Sequence, residues 1–196
     1  MGEIKSAFEK AMEKVANLEK PSTEEALEWK YVPEGQKLAS EYLKEEGNLA
    51  AEVGKFKDEV KRYVVKGAEE VLLRSIGLPV NQAAKKNTKK AMEGIKALKK
   101  DKAALENAYS KMRRIFDHYE QEGEQQRKQT YESLKQTFQA RIQQALQQQG
   151  GLPPGGRINV ESQPQFQEEW RRTLTRLDSQ YNLLLEEYKQ EISNTR

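Results

Sequence analysis

The chain contains no cysteine, which excludes disulfides, thiolate nucleophiles and cysteine-ligated zinc. It contains a single histidine, His118. No apolar run approaches the roughly 20 residues needed to cross a bilayer. The opening MGEIKSAFEKAMEKV alternates charged and apolar residues and lacks the continuous apolar core of a signal peptide. An excess of charge of one sign is nearly absent too: 34 Lys+Arg against 31 Asp+Glu leave a net +3, too little to dictate a polyanionic partner. There is no Gly-x-Ser-x-Gly elbow, no phosphate-cradling glycine loop and no Ser-His-Asp order. Together these absences lead to the expectation of a cytoplasmic protein that is not an enzyme and uses no cofactor.

What is present is helix-forming. Glu, Lys, Gln, Ala, Arg and Leu dominate, and these residues lose little side-chain freedom in a helix. The 33 % charged and 36 % apolar content suits extended helices with more surface and less core. Aromatics at 8 % argue against simple disorder. The expected fold is all-α: an elongated helical bundle with a long central helix and a C-terminal antiparallel coiled-coil hairpin.

Apolar spacing predicts the elements. Ile4, Phe8, Ala11, Val15 and Leu18 line one face of a first helix, ended by Lys20-Pro21. Ser22 and Glu25 can form a capping box for a short helix through Trp29, which Pro33 interrupts. A second helix is expected from Glu34 to Glu46. Asn48 then caps a third from Leu49 to Ser75, which Gly77 and Pro79 end. Asn81 can cap the next.

From Gln82 to Gln149 there is no proline. Ala91, Ile95, Leu98, Lys102, Leu105, Tyr109, Met112, Phe116 and Tyr119 follow a four-three spacing, a coiled-coil seam with Lys102 as its one polar member. Past Gly123 the phase changes to Tyr131, Leu134, Phe138, Ile142 and Ala145, as a stutter, a local unwinding or a break near Gly123. Gly150 to Gly156 is a loop. Ser162-x-x-Gln165 announces a last helix carrying Phe166, Trp170, Leu174, Leu177, Tyr181, Leu184, Tyr188 and Ile192. In a hairpin, Phe138 and Ile142 would meet Phe166 and Trp170, and Tyr119 would lie near Tyr188. The expected division is an N-terminal helical cluster over 1–118 and a hairpin over 119–196, with its loop at 150–162.

Three stretches invite chemistry. His118 sits among Asp117, Glu120 and Glu122, but Ile115 stands where a Glu-x-x-His metal motif needs its glutamate. The expected reading is a boundary histidine, with no metal. The run Gln143, Gln144, Gln147, Gln148 and Gln149 reads as a solvated face. The basic stretch Lys85, Lys86, Lys89, Lys90, Lys96, Lys99 and Lys100 is the candidate anion-binding site, offset nearby only by Glu93 and Asp101. The competing reading is a solvated helix face behind Ala91, Ile95 and Leu98. The leading expectation is therefore a structural or protein-interaction role, scaffold or adaptor, toward a protein partner or a second copy. Binding to nucleic acid or an anionic membrane surface through Lys85–Lys102 is the alternative.

Two segments resemble a known family. The opening MGEIKSA and the run Pro164-Gln165-Phe166-Gln167-Glu168-Glu169-Trp170 are similar to the ends of an uncharacterised family of bacterial helical proteins, a domain of unknown function. The resemblance implies a bacterial, cytoplasmic protein and carries no catalytic or binding residues.

Overall fold

A computed structural model describes residues 22–45, 47–148 and 159–195. The helix expected over Glu3–Leu18, its Lys20-Pro21 stop and the loop Gly150–Gly156 lie outside the described residues. Among those described there is no strand, and the fold is all-α. The helices are α1 (Thr23–Lys44), α2 (Leu49–Gly54), α3 (Asp58–Ser75), α4 (Gln82–Leu98), α5 (Lys102–Glu120), α6 (Glu122–Gln148) and α7 (Pro164–Asn194), with a 3₁₀ turn at Val160–Ser162 before α7. The contacts of the chain group it into two compact units, Met1–Val71 and Leu72–Arg196.

In the first unit, Ser22 caps α1 with the expected capping box: its hydroxyl accepts from Glu25 N–H, and the Glu25 carboxylate accepts from Ser22 N–H at 2.7 Å. That bond holds the Glu25 carboxyl below its ordinary range. The expected interruption at Pro33 does not occur, and α1 runs through it. Pro33 is exposed, and the carbonyl it leaves without a donor belongs to Trp29, which faces solvent on the same side. Close packing supports α1 just past this point. A Cβ built on Gly35 would lie 1.9 Å from Val64 O, and one on Gly67 would lie 2.0 Å from Val32 O. The backbones of α1 and α3 thus touch at two reciprocal glycines. Gln36 donates to Glu70 beside the contact at 3.0 Å, and Arg62 pairs with Glu24 at 2.7 Å.

The helix expected from Leu49 to Ser75 is two, broken at Lys55–Lys57. The break lets Phe56 leave the helix face and meet Tyr31 edge-on, with ring centroids 6.4 Å apart. Such a contact outweighs a turn of local propensity and is invisible to periodicity.

In the second unit the long central helix is replaced by three helices. One break, Lys99–Asp101, falls inside the four-three seam. Asp101 caps α5 by accepting from Ala104 N–H at 3.0 Å. Lys102 is therefore the first residue of α5 and not a polar member of a seam. The other break is near Gly123, as expected, and falls at Gln121. Gly123 is buried inside α6, where a Cβ would stand 2.9 Å from the Tyr181 hydroxyl. Arg127 closes this junction: it donates to Tyr119 O at 3.1 Å and lies 4.0 Å over the Tyr119 ring. Burial first, and then the Asp178 carboxylate, push the Tyr119 hydroxyl above its ordinary pKa.

The helices α5, α6 and α7 pack on one another, and α4 packs on α5. The sequence division at 118/119 falls in the last turn of α5, and α5 and α6 touch within this unit. Phe166 packs edge-on against Phe138 at 5.4 Å and Tyr131 at 5.5 Å, and Trp170 meets Tyr131 at 5.0 Å. Tyr119 meets Tyr181 at 5.1 Å and not Tyr188, because Tyr119 ends α5 and does not belong to α6. The Ser162 capping box is absent. Gln163 is the N-cap of α7, with Pro164 in the first turn. Of three consecutive leucines on α7, Leu183 is 71 % exposed, Leu184 is 44 % exposed and Leu185 is buried. The inward apolar positions, beside buried Thr173, are then Phe166, Trp170, Leu174, Leu177, Tyr181, Leu185, Tyr188 and Ile192. Their spacing repeats four, four, three, which is wider than the seven-residue repeat of a left-handed coiled coil.

Candidate functional site

The basic stretch falls on α4 and the turn after it. The structure divides its lysines between several tasks. Lys85 is ion-paired with Glu120 of α5. Lys96 lies 3.5 Å from Glu106, which also takes Arg113 at 2.5 Å. Arg113 is the main reason the Glu106 carboxyl sits below its ordinary range. Lys99 is buried, and its ammonium donates to Ser193 O at 3.3 Å and Thr195 O at 2.5 Å. Lys102 donates to Lys99 O at 2.6 Å and to Lys96 O. The last carbonyls of a helix lack intrahelical donors, so these two side chains cap α7 and α4 respectively. Lys90 is half-buried. Lys86, Lys89 and Lys100 are exposed.

Between α4 and α5 runs a groove of about 420 Å³ that periodicity did not reveal. Met92, Tyr109 and Phe116 form its floor, with Pro79 at one end. Tyr109 and Phe116 belong to the four-three seam. Tyr109 is buried as expected, whereas Phe116 is only half-buried and borders the groove. The loop at that end is pinned by buried Thr88, whose hydroxyl donates to Gly77 O and accepts from Gly77 N–H, both at 3.1 Å. The Tyr109 hydroxyl donates to Met92 O at 2.7 Å.

His118 is exposed. Its Nδ1 shares a 2.9 Å hydrogen bond with the Tyr181 hydroxyl, and its Nε2 lies 3.4 Å from Glu122. Among the described residues no three His, Asp or Glu side chains gather as metal ligands. A second groove, about 460 Å³, lies beside it, lined by Ile115, Tyr181, Leu184 and Tyr188 with Lys111 and Arg114. Glu191 holds Lys111 at 2.9 Å and raises its pKa.

Neither groove presents a recognised catalytic constellation, and the class the fold defines is an all-α protein without a membrane-crossing helix among the described residues. The chain belongs to a family of unknown function, DUF6657, whose model matches residues 50–194. No curated protein and no solved structure matches it.

Proposed function

We propose that this chain is a non-enzymatic, cytoplasmic interaction protein of bacterial origin, a scaffold or adaptor that binds a protein partner or a second copy through the outer side of α7. The observation that carries this reading is the exposure of Leu183 and Leu184. Adjacent exposed leucines beside an apolar groove are a feature of contact surfaces. The α6–α7 hairpin serves as the rigid stem, and the role needs no cofactor. A bacterial origin rests on the resemblance of the two chain ends, and the reducing compartment on the lack of cysteine. Replacing Leu183 and Leu184 together by Asp tests the reading, because exposed positions tolerate charge. The variant keeps the parent's melting temperature but loses about tenfold or more in complex recovered, whether by sedimentation of the pure protein or by capture from bacterial lysate. Equal recovery by both measurements would end this reading.

The second reading, attraction to nucleic acid or an anionic membrane, draws on Lys86, Lys89 and Lys100, which are exposed and unengaged by any acidic side chain among the described residues. Three such lysines correspond to a slope of about −3 in log affinity against log salt on duplex DNA.

A further inference from the structure

We infer that the groove between α4 and α5 binds a small anionic amphiphile, an apolar chain or ring carrying one carboxylate-like head. This is independent of the α7 surface. The floor accepts only an apolar body. Met92 and Phe116 offer no polar atom, the Tyr109 hydroxyl is held by Met92 O, and the Thr88 hydroxyl is bonded twice to Gly77. A volume of about 420 Å³ lies in the range of small-molecule sites.

The ends of the groove fix the size of the occupant. Lys85–Glu120 bridges α4 to α5 at one end and Lys96–Glu106 bridges them at the other. A partner helix laid along the groove would have to break both bridges, whereas a small molecule fits between them.

Charge fixes the sign of the head. Glu120 is matched by Lys85, and the single Glu106 carboxylate faces both Lys96 and Arg113. Between the bridges, Lys89 is exposed and paired with no acidic side chain among the described residues, and Arg113 lines the opposite wall. Glu93 is the one opposing charge left on the rim. The surrounding lysines of α4 add a positive field that concentrates anions. The head therefore sits by Lys89 and Arg113, and the tail lies over Met92, Tyr109 and Phe116.

Decanoate, below its micelle concentration, is the probe, titrated calorimetrically into the full chain. The expected result is saturable one-to-one uptake, with decyltrimethylammonium bound about tenfold more weakly. Lys89→Glu, a change at an exposed position that leaves the fold intact, weakens decanoate several-fold and narrows the gap to the cationic probe. Glu93→Gln tightens decanoate. Met92→Trp fills the groove and removes uptake, with circular dichroism confirming an unchanged helix content. No saturable uptake, equal uptake by the Met92→Trp protein, or equal binding of the two heads overturns the inference. So does binding to phosphatidylglycerol vesicles without uptake of free decanoate, which would assign the lysines to a membrane surface.

Discussion

The ammonium of Lys99 reaches Ser193 O and Thr195 O, carbonyls that no backbone donor of α7 can satisfy. Its neighbour Lys100 is exposed. The two residues are chemically identical and adjacent, so their substitutions separate a structural lysine from a surface one. Lys99→Met keeps the aliphatic stem and removes only the donor. It is expected to cost about 1.5–3 kcal/mol in urea unfolding, the range for hydrogen bonds to charged groups, while Lys100→Met stays within about 0.5 kcal/mol. Equal midpoints for both variants would refute the capping role. Gly35 shows the same dependence on a single atom. Gly35→Ala would drive a methyl group into the Val64 carbonyl and is expected to destabilise by at least about 1–3 kcal/mol. Gly54, with nothing within 4 Å of its Cβ position, is the control: Gly54→Ala should be neutral or stabilising by up to about 1 kcal/mol. An alanine tolerated equally at both glycines would contradict the backbone contact between α1 and α3.

At the scale of elements, the start of α7 is tied to α6 through Glu161. Its carboxylate accepts from Lys135 at 2.7 Å and from the Tyr131 hydroxyl at 2.9 Å. Lys135 first, then Tyr131, hold the Glu161 carboxyl below its ordinary range. A depressed carboxyl pKa means that this contribution is complete above the unfolded value, about 4.3, and fades as the pH falls through the folded one. Melting curves of the parent and of Glu161→Gln should therefore differ at neutral pH and converge toward about pH 3. A gap that persists unchanged in acid would show that the clasp contributes nothing. The capped starts at Ser22, Asn48 and Asn81 were legible in the sequence because an N-cap is settled within four residues. The breaks at Lys55–Lys57 and Lys99–Asp101 were not. The first answers to a distant partner, Tyr31; the second joins a local cap at Asp101 to the distant carbonyls of Ser193 and Thr195. The passage of α1 through Pro33 escaped for the same reason, since α3 supplies the support.

On the scale of the whole chain, the all-α class was plain from composition, and the family match over 50–194 runs through both compact units. The candidate site was half legible. The positions of the lysines could be read, but not which of them were engaged, because capping carbonyls and cross-helix carboxylates come from other elements. Nor does a four-three spacing say how fully a neighbour covers the inward face: Tyr109 is core as expected, while Phe116 is half-buried at the groove. The bond from Lys99 to Thr195 spans 96 positions of sequence. A ribosome adding about 5–20 residues per second needs on the order of 5–20 s to travel that distance. For that interval the face of α5 that α7 will cover is bare to the cell. The second unit is thus born incomplete, and the time it spends so is set by translation rather than by folding.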